Sequence, residues 1–525
     1  MTDAIVVGAG PNGLVAANML VDAGWRVTVL EAAAEPGGAV RSGELIEPGF
    51  THDLFSAFYP LAVASPILKG FYLERYGLTW TRAPVVLAHP RTNGDCPALH
   101  MDLEATMAAL DACSEGDGAA WARLYELWQR IGHDVIDALF TPFPPVAAGA
   151  KMVARLGIKD LARFGRFSVL PIRRLAEEEF SGPNGALLLA GNALHSDLAP
   201  ESPLSGFFGW LLMSLGQEVG FPAPEGGAGK LIGALVRRFV ERGGEIHCNE
   251  RVTRVEVRGG RAAGITTATG ASVGAERAVL ADVGAPALYL DLVDRKELPT
   301  RVFDDIQRFH YDNATVKIDW ALDGPIPWKS DEARLAGTVH VADDMDAFTL
   351  LSAQLSMGQI PADPFLVMGQ MTTTDPTRSP PGTETAWAYT HVPQRVRGDA
   401  GGDLTGSWDE RETETFAQRM EDKIETLAPG FRDVVRGRHV MTPRTMQDAD
   451  RNLVNGAING GTAQLHQQLV FRPTPGLGRP ETPVKDLYLA SSSAHPGGGV
   501  HGAPGANAAK AALWGWRRRR LMLKS

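Results

Sequence analysis

Cysteine is scarce in this chain of 525 residues, which contains only Cys96, Cys113 and Cys248. No two of them form a C-x-x-C pair, which argues against a thioredoxin-type or disulfide-reductase active site. Their scattered positions provide neither a zinc framework nor a disulfide framework, and we therefore expect no metal site. A reduced, cytoplasmic compartment fits this cysteine usage best.

An excess of basic charge is also lacking. Lys and Arg number 51 against 61 Asp and Glu, which gives a formal net charge of −10. A general nucleic-acid-binding protein needs a basic face, so we expect no nucleic-acid partner. The remaining composition, with 44% hydrophobic and 21% charged residues, is that of an ordinary globular protein.

Long apolar runs are missing as well. The apolar stretch near the middle of the chain, residues 207–213, is much shorter than the roughly 20 residues that cross a bilayer. The N-terminus has neither a basic region nor a cleavage site before its first apolar run, so we expect no secretory signal. The protein is expected to be soluble or at most peripheral to a membrane.

A nucleotide-binding pattern opens the chain. Residues 4–7 indicate a buried parallel strand, and a glycine-rich turn follows directly. A helical pattern then runs from Leu14 to Ala23, and a second strand covers residues 26–30. The residues expected to contact a nucleotide here are Gly8, Gly10, Pro11, Asn12, Gly13, Glu31 and Ala32.

Three glycines and one acid give this pattern its physical meaning. Gly8 permits the tight turn, Gly10 lets the backbone approach a pyrophosphate, and Gly13 lets the helix pack on the strand. The free N–H groups and the dipole at the helix start favour a phosphate. Glu31 stands where an acid accepts hydrogen bonds from a ribose hydroxyl. The unit predicts a dinucleotide but does not distinguish NAD from FAD.

The segment after Glu31 favours FAD. Gly37 and Gly38 form a second glycine pair, which simple NAD dehydrogenases do not need and a longer cofactor can approach closely. Arg41 can supply charge near the phosphates, or it can be a solvated surface arginine. The E-x(5)-G-G arrangement resembles the phytoene desaturase and amine oxidase superfamily of FAD enzymes. The loop of that superfamily usually reads G-G-R, whereas Ala39 stands at the arginine position here.

Two blocks in the middle of the chain support the same resemblance. The glycine-rich segment 224–231, a helix to about Arg242 and the strands that follow are similar to the family's second FAD segment. The resemblance implies that Val252 contacts the adenine through its backbone. Asp282 follows the strand 277–281, where it is either at the edge of the cofactor or a helix N-cap.

A strand, a glycine-rich loop and a helix start recur at 486–510. A helix N-terminus near a flavin stabilises the negative charge that develops on reduction. The string L-Y-L-A…H-P-G-G-G-V closely resembles the C-terminal flavin motif of phytoene desaturases and phytoene-dehydrogenase-related proteins. It implies cofactor contacts from Ser493, Gly499, Val500 and Ala506. The next residues read H-G-A-P-G-A-N, where carotenoid desaturases typically have P-G-V-I-G-S, which favours the related proteins.

Together these blocks predict an α/β fold of the glutathione-reductase type, in which an α+β substrate domain is inserted into a Rossmann-like FAD-binding domain. The FAD-binding domain is expected from residues 1–60, 224–290 and 440–525, and the substrate domain from 61–223 and 291–439. A second G-x-G-x-x-G with a following acid is missing, so we expect no separate NAD(P)H site. The electron acceptor would be oxygen, a quinone, another protein or a second substrate.

The expected reaction is hydride removal from a lipophilic, polyene-like or isoprenoid-like substrate onto the flavin, which carries this chemistry itself. The candidates for proton exchange are His52, Asp53, His495 and His501. Each histidine can instead hydrogen-bond loop backbone, and Asp53 can form a cap or turn. The alternative functions are an FAD-dependent amine or amino-acid oxidase, a flavin-dependent isomerase, and an FAD-binding protein without redox activity.

The C-terminal tail combines Trp514 and Trp516 with four consecutive arginines, Arg517–Arg520. Aromatic and basic side chains of this kind can lie at an anionic membrane surface, which would suit a lipophilic substrate. A solvated, frayed terminus is the alternative.

Overall fold

The computed structural model describes residues 2–522 of the chain. In chain order, the strands are β1 (Thr2–Val7), β2 (Val27–Leu30), β3 (Ser42–Gly43), β4 (His52–Asp53), β5 (Trp80–Thr81), β6 (Val85–Ala88), β7 (Ala98–Leu99), β8 (Ala223–Pro224), β9 (Glu245–His247), β10 (Val252–Arg258), β11 (Arg261–Thr267), β12 (Ser272–Ala281), β13 (Ala314–Leu322), β14 (Ala336–Val341), β15 (Gln359–Ile360), β16 (Leu366–Gln370), β17 (Glu384–Val392), β18 (Gly398–Asp399), β19 (Val435–Met441) and β20 (Leu487–Leu489). The helices are α1 (Pro11–Asp22), α2 (Pro60–Ala64), α3 (Pro66–Lys69), α4 (Leu103–Cys113), α5 (Asp117–Phe140), α6 (Val146–Val169), α7 (Ile172–Glu179), α8 (Pro183–Ala193), α9 (Ser205–Val219), α10 (Gly229–Glu241), α11 (Thr300–Ile306), α12 (Asp331–Leu335), α13 (Met345–Ser356), α14 (Met371–Thr374), α15 (Glu410–Leu427), α16 (Phe431–Val434), α17 (Pro443–Ala449) and α18 (Ala503–Met522).

The first sheet carries the glycine-rich turn. Its strand order is β10-β11-β12-β1-β2-β9, and β20 pairs in parallel with β12. β1 lies between β2 and β12, is parallel to both, and is completely buried, as a strand covered on both faces must be. The carboxyl ends of these strands therefore meet at one edge, where Gly8, Glu31 and Asp282 follow them. This arrangement confirms the predicted Rossmann-like α/β fold.

The second sheet joins distant parts of the chain. Its order is β19-β13-β17-β16-β14-β6-β7, so that β6 pairs in parallel with β14, more than two hundred residues later in the chain. The helices α4–α9 pack together through a large apolar cluster that includes Trp121, Trp128 and Trp210. The sheet pairing shows that residues 85–99 and 314–441 form one structural unit, while the domain boundaries given above stay a prediction.

The helices α1 and α18 contact each other at their N-terminal ends. A Cβ atom on Gly505 would lie only 1.9 Å from the carbonyl oxygen of Asn12, so a side chain at this position would clash with the backbone of α1. Gly13 is constrained in the same way, because its Cβ would lie 2.3 Å from the carbonyl oxygen of Gly8. These close approaches bring the start of α18 to the edge of the sheet that holds the glycine-rich turn.

A buried ion-pair network links the segment around β4 to the second sheet. The fully buried Arg378 donates through Nε to Asp375 at 2.8 Å and through its terminal nitrogen to Asp53 at 3.0 Å. The other carboxylate oxygen of Asp53 accepts hydrogen bonds from the Ala228 N–H and the Ser42 hydroxyl, both at 2.7 Å. Asp53 therefore holds three separate chain segments together.

The C-terminal helix α18 continues through the run of arginines to Met522 instead of fraying. Arg519 forms an ion pair with Asp486 at 2.6 Å, and the Trp516 ring lies under the guanidinium groups of Arg277 and Arg519. Leu523, Lys524 and Ser525 lie outside the described residues. Among residues 2–522, no helix combines the length and the apolar character needed to span a bilayer.

The contact between α1 and α18 generates a stability prediction. Gly505→Ala is expected to lower the free energy of unfolding by about 1–3 kcal/mol, because the added methyl group forces the two helices apart. The control is Gly165→Ala in α6, where a Cβ meets nothing within 4 Å and alanine favours the helix. Urea unfolding followed by circular dichroism measures both variants. Equal stability of the two would contradict the role assigned to Gly505.

Candidate functional site

A cavity of about 1130 Å³ extends from the carboxyl edge of the first sheet to the face of the second sheet. Its walls include the ends of β1 and β2, the loop before α18, and residues of β13, β14, β16 and β17. Pockets for drug-sized ligands measure about 300–1,000 Å³, so this cavity has room for a large cofactor with part of a second molecule.

Most of the residues predicted to bind the cofactor line this cavity. They are Gly8, Gly10, Pro11, Asn12, Glu31, Ala32, Gly38, Arg41, Val252, Asp282, Gly499 and Val500. Residues from both ends and from the middle of the sequence therefore meet in one place, as the resemblance implied.

Four of the predicted cofactor residues do not line the cavity and instead support it. Gly13 lies beneath the turn, against the Gly8 carbonyl group, and Gly37 donates its N–H to the Ala9 carbonyl oxygen. The hydroxyl of Ser493 donates to the Gly460 carbonyl oxygen at 2.9 Å. Ala506 is fully buried in the first turn of α18. Direct contacts from these four residues stay a prediction.

Glu31 fixes the glycine-rich turn. Its carboxylate accepts hydrogen bonds from the Ala9 N–H at 2.7 Å and from the Ala33 N–H at 2.8 Å. Arg41 fixes the next loop, because it donates to the carbonyl oxygens of Gly38 and Ala449. Both side chains line the cavity while they bind backbone, so the nucleotide end of the cavity is rigidly framed.

Asp282 lies at the centre of the nucleotide end. Its Oδ2 accepts a hydrogen bond from the Gly13 N–H at 2.7 Å, so it caps α1 and not the segment that follows it in sequence. Burial raises the pKa of this carboxyl to about 7, and the nearby carboxylates of Asp450 and Glu31 contribute in the same direction. The Gly13 N–H belongs to the helix start where a pyrophosphate is expected.

The polar atoms of the cavity wall fit a long polar ligand. Asn12 Oδ1 and Asn459 Nδ2 are buried, belong to residues of the wall and have no partner among the described residues. Buried polar atoms are rarely left unpaired, so these two are available to a bound molecule. Together with the glycine-rich turn they fit the pyrophosphate and sugar groups of FAD.

The loop 498–501 forms the wall at the predicted flavin end, just before α18 begins. The Ala503 N–H donates to His501 Nδ1 at 3.1 Å, and His501 Nε2 donates to the Gly498 carbonyl oxygen at 3.2 Å. Burial lowers the pKa of His501 to about 4, and its ring stacks on Phe140. Because both ring nitrogens are bound to backbone, His501 has no nitrogen available for proton exchange.

The other three residues predicted for proton exchange do not lie on the cavity wall. His52 is buried beneath it, 3.9 Å from Asp319, and burial together with the nearby Lys317 lowers its pKa to about 3. His495 donates to the Thr141 carbonyl oxygen at 3.0 Å. Asp53 belongs to the buried network around Arg378. The geometry therefore favours the structural alternative that each of them had, because β4 pairs with β3 and turns these side chains inward.

Lys317 is a cavity residue that the sequence analysis missed. It lies in β13, which is buried throughout, and it lines the cavity. Its Nζ donates to both carboxylate oxygens of Asp319 at 2.5 Å and to the Asp53 carbonyl oxygen at 2.9 Å. Two charged residues at i and i+2 of an apolar strand share one face, and this spacing was the signal that could have revealed the pair.

The half of the cavity beyond the loop 498–501 is mainly apolar. Lys317 and the ring of Trp387 lie 6.0 Å apart there, and Trp387 stacks side by side with Tyr389, with 6.0 Å between the ring centroids and 14° between the planes. His195 adds an imidazole that no sequence pattern indicated. The apolar side chains of this half are Leu61, Leu139, Phe208, Leu211, Leu212, Phe221 and Val367.

The environment of Asp282 predicts how FAD affinity depends on pH. Negative charge on the pyrophosphate favours the protonated carboxyl, so affinity is expected to fall by up to about tenfold per pH unit as the pH rises above about 7. Asp282→Asn keeps an oxygen acceptor for Gly13 and should remove this dependence. FAD titrations of the apoprotein between pH 6 and 9 measure it. A wild-type profile as flat as that of Asp282→Asn would rule out this coupling.

Comparison with known proteins identifies relatives along the whole chain. The chain is 30% identical to pyridine nucleotide-disulfide oxidoreductase domain-containing protein 2 of Mus musculus, over 97% of this chain and 92% of that protein. It is 23% identical to a component of the limonene dehydrogenase of Castellaniella defragrans, over 97% and 94%. It is 26% identical to a lycopene-forming phytoene desaturase of Pseudescherichia vulneris, over 58% of each chain.

Solved structures share the fold. An oxidoreductase from Methanosarcina mazei superposes with a TM-score of 0.62 at 16% identity and covers 97% of this chain and 99% of that one. A double mutant of putrescine oxidase also gives a TM-score of 0.62 at 16% identity, over 98% and 99%. At this identity the likeness concerns the fold alone.

Two family models match the sequence. Residues 6–72 match the NAD(P)-binding Rossmann-like domain, and residues 97–512 match the flavin containing amine oxidoreductase. The second match spans most of the chain, including the apolar half of the cavity and the loop before α18. The chain therefore belongs to the flavin-containing amine oxidoreductase family and is an FAD-dependent oxidoreductase.

Proposed function

We propose that this enzyme removes hydride from a C–H bond of a lipophilic, isoprenoid-like molecule and so desaturates it. The observation that carries the proposal is the apolar half of the cavity, which lies next to the loop 498–501 and is closed by side chains of α9 and β16. Apolar surface of this kind binds an apolar molecule with a free energy of about 25 cal/mol per Å² buried. Relatives named for limonene and phytoene support the same substrate class.

The bound FAD would supply the acceptor for the hydride. The chain would position it through the glycine-rich turn, Glu31 and the loop 498–501. The start of α18 directs its free N–H groups and the positive end of its dipole toward that loop, which favours negative charge there. Lys317 adds a cation at the cavity wall, and Asp319 with the Asp53 carbonyl group keeps the proton on its Nζ.

Amine oxidation is the competing function, and the shape of the wall argues against it. An amine-binding aromatic cage needs two rings that face each other across the substrate. Trp387 and Tyr389 lie side by side on one strand, with only 6.0 Å between their centroids, so no amine fits between them. The cationic Lys317 on the same wall would also repel a protonated amine. We therefore place desaturation before amine oxidation.

The electron acceptor in this proposal is oxygen, a quinone, another protein or a second substrate. A quinone or a lipophilic substrate would be reached most directly at a membrane. Arg517, Arg518 and Arg520 are exposed at the end of α18 beside the exposed Trp514. We propose that this end of α18 contacts anionic lipid.

Deletion of residues 517–525 tests this membrane contact. The truncated protein is expected to lose most of its binding to vesicles that contain phosphatidylserine, because three exposed arginines are removed, each worth about 1 kcal/mol near the surface. Flotation of wild-type and truncated protein measures the difference, and vesicles of phosphatidylcholine alone serve as the control. Unchanged binding of the truncated protein to the anionic vesicles would exclude this contact.

The proposed reaction is tested with the purified flavoprotein. It should be yellow and release FAD on denaturation, and anaerobic mixing with limonene or phytoene should bleach the flavin and yield a product with two hydrogens fewer by mass spectrometry. Bleaching by putrescine but by neither isoprenoid would favour amine oxidation. A product of unchanged mass without bleaching would favour an isomerase. Protein that binds NAD and no flavin would overturn the assignment.

A further inference from the structure

Two imidazoles form a hydrogen-bonded pair in the apolar half of the cavity. His195 follows α8 and His340 lies in β14, and their Nε2 atoms are 2.8 Å apart. His195 contributes to the cavity wall, whereas His340 lies behind it and is fully buried. Burial lowers the pKa of His195 to about 4 and the pKa of His340 well below its usual value. Both rings are therefore neutral at neutral pH.

The environment of His340 decides which ring donates. His340 Nδ1 is buried and has no partner in the described part of the chain, and a Cβ on Gly191 would lie 2.1 Å from it, so the α8 backbone covers this atom. A proton on Nδ1 would be a buried donor without an acceptor, which costs about 1–3 kcal/mol, whereas an unpaired acceptor is tolerated better. We therefore assign the proton of His340 to Nε2, from which it is donated to His195 Nε2.

This assignment determines the state of His195. A neutral imidazole has one proton, and because Nε2 of His195 accepts, its proton is on Nδ1. Across residues 2–522 this Nδ1 has no hydrogen-bond partner. The nearest ring on the same wall is Tyr389, whose centroid lies 6.5 Å away, and apolar side chains of α9 line the space beside it. The apolar half of the cavity thus contains one N–H group held in a fixed orientation and open to a ligand.

We propose that His195 Nδ1 donates a hydrogen bond to a neutral carbonyl oxygen of the substrate, so that the substrate is a lipophilic carbonyl compound and not a pure hydrocarbon. This inference rests on the proposed function, because it names the substrate class for the same cavity. His340 acts as a positioning residue that fixes the tautomer of His195.

The charges around the pair favour a neutral acceptor over an ion. A substrate ammonium has no acceptor on His195, because Nδ1 carries a proton and Nε2 is engaged by His340. A substrate carboxylate would lose its hydration without gaining a counter-ion, because the imidazoles are neutral and Lys317 is already paired with Asp319. A carbonyl oxygen accepts one hydrogen bond at a small desolvation cost and removes the unpaired donor from the apolar wall.

The test compares matched ligands on the full-length, FAD-loaded protein. Carvone and limonene share one skeleton and differ by a ring carbonyl group, and 2-dodecanone and dodecane differ in the same way. Dissociation constants from isothermal titration give a ketone-to-hydrocarbon ratio of affinities for each pair. His195→Phe, which keeps a ring but removes the donor, is expected to lower that ratio by about fivefold to tenfold, the value of one hydrogen bond.

Three further variants separate the donor from its surroundings. His195→Asn keeps an amide N–H close to the position of Nδ1 and should restore part of the ratio. His340→Phe leaves the tautomer of His195 unfixed and should cause a smaller loss than His195→Phe. The matched control is His391→Gln, since His391 is buried beside Leu194 but does not line this cavity, and it should leave the ratio unchanged.

An infrared measurement reports the contact directly. The carbonyl stretch of bound carvone should lie at lower frequency in the wild-type protein than in His195→Phe, because a hydrogen bond weakens the C=O bond. An equal frequency, an unchanged affinity ratio, or failure of both ketones to bind would overturn the inference. These measurements need no flavin reduction, so they are independent of whether the desaturation assay succeeds.

Discussion

The hydrogen bond from the Gly13 N–H to Asp282 holds the nucleotide end of this protein together. It joins the start of α1 to the end of β12, two elements that are 269 positions apart in the chain. The glycine-rich turn can adopt its shape only if this carboxyl lies against it, because Gly8, Gly10 and Gly13 all pack on Asp282. The carboxyl end of the first sheet, and with it one whole end of the cavity, depends on that contact.

The cavity is electrically asymmetric. Its nucleotide end combines carboxylates, arginines and helix N–H groups, which suits a charged and extended cofactor. At the other end, burial keeps His195, His340 and His501 neutral, and Lys317 is balanced by Asp319. A nonpolar substrate therefore meets few uncompensated charges, while the chemistry is left to the cofactor.

The sequence predicted the parts of this site that are local. A strand, a turn and a helix that follow one another carry their own pattern, so Gly8 to Glu31 and the loop before α18 could be recognised without a structure. Proton-exchange roles for His52 and Asp53 were inferred from proximity along the chain, whereas their side chains turn into the ion-pair network under the cavity. Closeness in sequence to a cofactor loop does not determine the face on which a side chain lies.

Contacts made by tertiary structure alone could not be predicted in this way. His195 and His340 are separated by 145 positions and lie in different elements, and neither belongs to a repeated pattern. Lys317 and Asp319 were visible as two charges in an apolar strand, but only the pairing of β13 with its neighbours brings them to the cavity. The fold could thus be inferred from sequence to a greater extent than the substrate end of the site.

The contact between Asn12 and Gly505 has a consequence for the synthesis of the protein. The first residues to leave the ribosome form the glycine-rich turn, but the helix that packs on α1 is made last. During translation the apolar face of α1 therefore waits, without its partner, for nearly the entire chain to be completed. The cofactor cavity is assembled only after release, and the nascent chain is a client for chaperones over that interval.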